Sequence, residues 1–397
     1  MESLTCNQEQ KTCPSMVNPM PLEVIEDKIQ KDEISPGERV IKKELDKDYS
    51  PLIEEKFMHR ISIAPMMDVT NVHFRFFMRL LSRHCTLWTE MVHTNALIYN
   101  ETQRHRSLVM NEIEHPVVCQ LGGNNPEALA KAAIYSQEAG FDEVNINCGC
   151  PSPRVTSGSF GACLMKYPEE VATCVKKMQE SVKIPVHVKC RIGVDDQDSY
   201  DFTKKFVEIV GKAGCTHFLV HARKAYLKGL NPKENRTIPP LKYNTVIDLA
   251  KDFPNYQFTI NGGFKTLDDI EEIIKPDNKL IGCMVGRLAY ENPWELRDVD
   301  RRFYGRPNPG LSRREILERW GEYGDYAISQ DPRIKWPNLV KPIINLFLGE
   351  KHSGLYRRYI SDAKNHKSAD SFKSFINSAI KEFEMRNPIA LDQKPPL

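Results

Sequence analysis

The sequence predicts an α/β protein, a (β/α)8 TIM barrel followed by a small all-α helical bundle. Three observations carry this reading. Short apolar runs recur eight times between residues 57 and 305. Amphipathic stretches of helical period lie between them. Past 306 the strand signal stops while helical patterns continue. Strands alternating with helices require parallel βα units, and eight units in roughly 250 residues close into a barrel. An open doubly wound sheet is the rival, but no G-x-G-x-x-G follows the first strand.

The eight expected strands are Ile61–Pro65, Thr86–Val92, Pro116–Leu121, Glu143–Asn147, Val186–Cys190, His217–His221, Phe258–Asn261 and Ile281–Val285. Each is a short apolar run bounded by turn formers. Helices are expected at Pro126–Ala139, Pro168–Ser181, Ser199–Ala213 and Leu267–Ile274, and beyond the barrel at Arg313–Ile328, Pro337–Leu348, Gly354–Ala363 and Ser371–Met385. Ser353 is a candidate cap for the third of this last set, and Ser368 or Asp370 for the fourth. The expected organisation is a disordered charged extension over 1–56 with a short helix near 38–48, the barrel over 57–305, the bundle over 306–387 and a disordered tail over 388–397.

Among 397 residues, 27% are charged and no apolar run reaches membrane-spanning length, which argues for a soluble globular protein. The 11 cysteines are scattered without regular spacing. With no signal-peptide pattern, this fits reduced thiols and a cytoplasmic location. The acidic extension does not read as an arginine-rich transit peptide. No paired CxxC motifs or HExxH occur, so no metal site is expected. A monomer is expected. The net charge of +2 hides an asymmetry: residues 1–56 carry 8 basic and 13 acidic groups, and 306–397 carry 16 basic and 11 acidic. That surplus suits an anionic partner, and it also suits an ordinary solvated helical face.

In such barrels the chemistry sits at the C-terminal strand tips. The fourth tip is Asn147-Cys148-Gly149-Cys150-Pro151, where Gly149 and Pro151 end the strand abruptly and hold the Cys150 thiol on a stiff turn. A buried core thiol is the plain alternative. Asn261-Gly262-Gly263 and Gly286-Arg287 end strands seven and eight, where barrels often bind phosphate through backbone amides and an arginine. Lys189 suits the negative charge of a reduced flavin, or else a structural ion pair with a carboxylate. Gln120 offers donor and acceptor for a pyrimidine edge, or is satisfied by loop backbone. His221 serves a cofactor or the core.

The strings Ala64-Pro65-Met66-Met67-Asp68, Thr89-Glu90-Met91, Gln120-Leu121-Gly122-Gly123, Asn147–Pro151, Phe160–Met165, Lys189–Gly193, Asp195–Tyr200, His221–Ala225, Pro232–Arg236 and Asn261-Gly262-Gly263 occur in this order. Together they resemble the tRNA-dihydrouridine synthases, most of all the bacterial A type acting on D-loop uridines 20/20a. The resemblance covers roughly 57–385. It implies an FMN enzyme that reduces the C5–C6 bond of a tRNA uridine, with NADPH as electron source. It implies Cys150 as the general acid, delivering a proton to C5 while hydride arrives at C6; a thiol retains its proton near neutrality. Pro65, Met66, Met67, Gln120, Lys189 and His221 carry over as flavin contacts. Asn261, Gly262, Gly263, Gly286 and Arg287 carry over as phosphate contacts. Asn147, Arg236 and Arg223 carry over as substrate contacts. The implied partner is the D-loop and elbow of tRNA.

Three departures stand out. Cys148 replaces an aliphatic residue beside the acid, and a strained C-x-C pair does not read as a redox couple. Asn338, Lys341 and Pro342 stand where the bacterial type often has histidines and an arginine. The acidic extension is foreign to the compact bacterial proteins. Two rivals remain: a dihydroorotate-dehydrogenase-like FMN barrel acting on a free pyrimidine, and an RNA-binding module without catalysis. Lys341, Arg357, Arg358, Lys364 and Lys367 in the helical segment weigh against the first, and Cys150, Lys189 and Arg287 against the second.

Overall fold

The structure, a computed structural model, describes residues 58–396, so the extension and its expected helix lie outside the described residues. Eight parallel strands run in the order β1-β8-β7-β6-β5-β4-β3-β2. They are β1 Ile61–Ile63, β2 Leu87–His93, β3 Val117–Gly122, β4 Glu143–Cys148, β5 Val186–Arg191, β6 His217–His221, β7 Gln257–Asn261 and β8 Gly282–Val285. A parallel bridge from Ser62 to Thr86 completes the ring. The barrel expected from the alternation of strands and helices is the fold observed.

Alternate residues on a strand face opposite sides, and here that rule separates two cores. Val144, Ile146 and Cys148 of β4, Val186, Val188 and Cys190 of β5, and Phe218 and Val220 of β6 join the main apolar core with the outer helices. The intervening residues point inward and form layers. At the strand N-termini, Glu143, His187 and His217 are buried with His59. Ala64, Trp88, Val118, Leu219 and Met284 make a separate apolar plug. Gln120, Asn145, Asn147, Lys189, His221 and Asn261 continue the same strand faces toward the C-terminal mouth.

The outer helices begin where local chemistry starts them. Asn125 accepts from the Ala128 amide ahead of Pro126–Glu138, and Ser199 accepts from Phe202 ahead of Tyr200–Lys212. Beyond the barrel, Arg313–Gln330 packs on the barrel helix Val72–Leu81, with the Phe76 and Tyr323 rings stacked 3.9 Å apart. Phe372–Glu384 lies against it at Gly324, where an added Cβ would meet the Phe372 ring at 2.1 Å. Arg313 is buried, bonds to the Leu346 and Ala390 carbonyls and to Glu350, and stands 4.1 Å over the Trp294 ring.

Three expectations are corrected here. The tail is ordered through 396: Pro388–Asp392 is helical, Ala390 and Leu391 are buried, and Arg314 pairs with Asp392. Their apolar side chains find a groove that a short tail broken by Pro388, Pro395 and Pro396 does not advertise. Ser371, rather than Ser368 or Asp370, caps Phe372–Glu384 through a reciprocal box with Ser374. Ser353 lies inside its helix and His352 precedes it in the left-handed region. Arg357 and Arg358 share Ser353–Ser361, but Lys364 belongs to a separate short helix, Ala363–Lys367, because Asp362 interrupts and caps.

Candidate active site

Asn147 organises the mouth. Its Oδ1 accepts from the amides of Gly149 at 3.1 Å and Cys150 at 2.9 Å, closing the turn that carries the thiol. Those two backbone donors fix which end of the amide is oxygen, and the polarity then propagates inward. Asn147 Nδ2 donates to Gln120 Oε1 at 2.7 Å, and Gln120 Nε2 donates to Asn145 Oδ1 at 2.9 Å. Asn145 Nδ2 is left buried with no partner among the described residues. Gln120 is thus satisfied by side chains of β4 rather than by loop backbone. Asn147, expected to face substrate, spends its oxygen on the Cys150 turn and keeps a second N–H.

Cys150 is partly exposed at the tip of β4, whereas Cys148 is wholly buried in the main core. Burial, then neighbouring thiols, pushes the Cys148 pKa up. Cys148 is the last residue of β4 and Cys150 lies beyond it on the Asn147 turn, so the alternative of a core thiol belongs to Cys148. The Cys150 carbonyl accepts from Ala162 at 2.9 Å. Gly161 makes that approach possible: its φ is +74°, and a Cβ there would come within 2.6 Å of the Cys150 oxygen.

Arg191, which was not among the expected site residues, braces the Cys150 turn. Its guanidinium is buried, donating to Gly149 O at 2.8 Å, Lys224 O at 2.9 Å and Asn235 O at 3.0 Å. It ties the Cys150 turn to the loop that presents Arg236. Burial lowers its pKa to about 10. The available signal was its place two residues beyond Lys189 on the inward face of β5.

Lys189 donates to Asn261 Oδ1 at 3.3 Å and forms no ion pair with a carboxylate among the described residues. Burial, reinforced by Arg191, lowers its pKa to about 8. Asn261 Nδ2 is held by Met284 O at 2.7 Å. His221 is buried, and burial followed by Arg191, Lys189 and Arg223 holds its imidazole well below the usual range, hence neutral. Gly262 and Gly263 have φ of +121° and +87°, and added Cβ atoms would strike the His221 ring and Leu241. Their glycine character is already required by the protein itself.

Three arginines gather beside them. Arg287 is exposed and donates weakly to the Arg236 carbonyl at 3.4 Å. Arg223 is buried, bonds to the Thr237 and Pro239 carbonyls, and leaves Nε without a partner. Desolvation, then the charge of Arg287, lowers the pKa of both Arg223 and Arg236. Gly286 precedes Arg287 beside Ala64 and Met66. On the adjoining β1 loop, Thr70 pins Met66 through N and O, Pro65 is partly exposed and Met67 is 58% exposed. Lys341 of the helical segment reaches the Asp68 carbonyl, so that segment buttresses the first barrel loop.

A parallel (β/α)8 barrel with a thiol, a lysine that has no carboxylate partner among the described residues and three neighbouring arginines at its C-terminal mouth has the layout of a barrel enzyme. The chain belongs to the dihydrouridine synthase family: the model for "Dihydrouridine synthase (Dus)" matches residues 62–384. Members of this family are oxidoreductases. The chain is 46% identical to a tRNA-dihydrouridine(20/20a) synthase of Synechocystis sp. over 312 residues, covering 79% of this chain and 91% of that protein. It is 45% identical to the proteins of the same name from Vibrio vulnificus, covering 76% and 91%, and from Escherichia coli K12, covering 78% and 88%.

Proposed function

We propose that this protein is a tRNA-dihydrouridine synthase that reduces the C5–C6 bond of D-loop uridines at positions 20/20a, with FMN as cofactor and NADPH as electron donor. The carrying observation is the Cys150 thiol, held by Asn147 and Arg191 at the mouth where Lys189, Arg223, Arg236 and Arg287 gather. The names of the relatives support the substrate.

The residues fit a flavin mononucleotide. Among the described residues, Asn145 Nδ2 and Arg223 Nε are buried donors without partners and Lys189 is a cation without a counter-charge, and Arg287 is exposed beside Gly286. Gln120, Lys189, His221 and the Pro65–Met67 backbone would hold the ring system. Asn261, Gly262, Gly263, Gly286 and Arg287 would hold the phosphate, as charge-assisted donors do. When bound, the flavin supplies hydride to C6 of the uracil. The remaining work falls to the chain. Cys150 Sγ–H gives its proton to C5 and becomes a thiolate, which regains a proton from solvent. Asn147 and Arg191 keep that sulfur in place. Arg223 and Arg236 orient the base and its phosphates. The exposed basic side chains of the helical segment take the tRNA backbone.

No helix among the described residues is long and apolar enough to cross a membrane. We place the protein in a reducing compartment such as the cytoplasm, and read it as a monomer. Mass spectrometry of bulk tRNA from cells lacking the protein tests the function. Loss of dihydrouridine at 20 and 20a is expected. Unchanged dihydrouridine there, or reductase activity on free pyrimidine but not on tRNA, overturns it.

A further inference from the structure

We propose that the N-terminal end of the barrel, opposite the mouth, is a binding site for a divalent transition metal of the zinc class, ligated by His59, Glu143, His187 and His217. The three histidines place ligand nitrogens within 4.8 Å of one another, and all three are buried. Glu143 joins them: its carboxylate lies 2.8 Å from His59 Nε2 and 3.0 Å from His187 Nδ1. Ligand atoms around one zinc, each at about 2.0–2.2 Å, stand roughly 3.3 Å apart. The two Glu143 contacts lie within about half an ångström of that, and the histidine nitrogens, within 4.8 Å of one another, would draw in around the ion.

His217 points to the ligand independently. Its Nε2 is engaged with Thr259 Oγ1 at 2.9 Å, while Nδ1 is fully buried and has no partner among the described residues. With the Nε2 proton on Thr259, a lone pair is left facing the cluster. Leaving such a buried group unmet is unfavourable, and a metal ion removes the deficit. The outer contacts match what metal-bound imidazoles need: His217 has Thr259, and His59 Nδ1 has Ser62 Oγ at 3.2 Å.

Three imidazoles and one carboxylate are a borderline nitrogen–oxygen donor set that suits zinc and its first-row neighbours rather than calcium or magnesium. Four protein ligands leave no open position, so the site is structural. Its effect is to lock β4, β5 and β6 to the segment entering β1, at the end of a barrel that governs stability rather than chemistry. The motifs sought in the sequence missed it because the ligands come from four separate strands or strand entries.

The test uses the full chain purified without a histidine tag, dialysed against buffered zinc and then against metal-free buffer. Elemental analysis is expected to find about one zinc per chain, and cobalt substitution to give the visible bands of a four-coordinate site. His217→Ala should hold less than about a tenth of that metal. Thr259→Val, which keeps every ligand, should weaken affinity by roughly 10–100-fold. If His217→Ala does not fold, the wild-type stoichiometry, the cobalt spectrum and Thr259→Val decide. Wild-type protein without stoichiometric metal, or unchanged metal affinity in Thr259→Val and His217→Ala, overturns the proposal. Flavin content and dihydrouridine formation are scored separately, so failure here leaves the active-site reading untouched.

Discussion

Asn147 holds Cys150: its Oδ1 accepts the Cys150 amide at 2.9 Å, while its Nδ2 grips Gln120. One side chain therefore sets both the turn that carries the thiol and the polarity of the amides beneath it. Asn147→Ala removes the anchor without touching the thiol. Turnover is expected to fall about 10²-fold, as for a reacting group misplaced by about an ångström, with a smaller change in KM. Asn147→Asp retains the acceptor for the turn and should recover part of the loss. Steady-state kinetics with unmodified tRNA check this.

Cys150→Ala should keep flavin and its reduction by NADPH but lower dihydrouridine formation by about 10²–10⁴-fold. Cys148→Ala should leave turnover within a few-fold and act instead on stability, since Cys148 packs against the outer helices. Its cost is expected at about 1 kcal/mol for a small cavity. Parallel activity and melting measurements separate the two effects.

Arg287→Ala should weaken FMN retention by roughly tenfold or more, because a charge-assisted phosphate contact contributes about 1.5–3 kcal/mol. Flavin fluorescence during dilution gives the dissociation constant. Purified wild-type protein should be yellow.

Lys189 predicts a pH signature in the flavin-free chain. Its pKa is lowered to about 8 by burial. Between there and the ordinary lysine value, the unfolded chain binds the proton more tightly than the folded one, so stability rises with pH across that window. Below about 8 the charge is carried in both states and the cost of burying it is present in full. Lys189→Met should therefore be more stable than wild type at neutral pH, by on the order of 1–2 kcal/mol after discounting for partial exposure. The advantage should shrink as pH climbs past 8. Denaturant midpoints at pH 7, 8.5 and 10 would show it.

Arg357 and Arg358 are exposed and form no ion pair among the described residues. Replacing both with alanine should weaken tRNA binding and reduce the log–log salt slope by up to about two units. This pair is a better probe than deleting 306–397. Deletion would strip Tyr323 from Phe76 and Arg313 from Trp294, exposing barrel core.

Much of the barrel was legible because strand patterning is local. The runs around Glu143, Val186 and His217 begin at the residues where β4, β5 and β6 begin. Proline and glycine mark their ends, so the tips carrying Asn147, Lys189, His221 and Asn261 could be read before any fold was known. Cys148 and Cys150 have the same parity, so it is the end of β4 at Cys148 and the turn after it, not the pleat, that separates Cys150 at the tip from Cys148 in the wall.

What tertiary structure alone decided lies between strands. Register brings Gln120 beside Asn145 and sets Lys189 beside Asn147, and neither pairing can be counted from spacing. Arg191 gains meaning only when Gly149 and Asn235 arrive from either side. Glu143, His187 and His217 looked like isolated polar breaks in apolar runs until barrel closure stacked them with His59. The last residues became a helix where Ala390 and Leu391 could be buried and the Ala390 carbonyl could accept from the Arg313 guanidinium. Local sequence determines periodicity and turns, since those depend on neighbours along the chain. Convergence depends on hydrogen-bond register and ring closure, which join residues from 25 positions apart, as Gln120 and Asn145, to 84 apart, as His59 and Glu143, and leave no periodic trace.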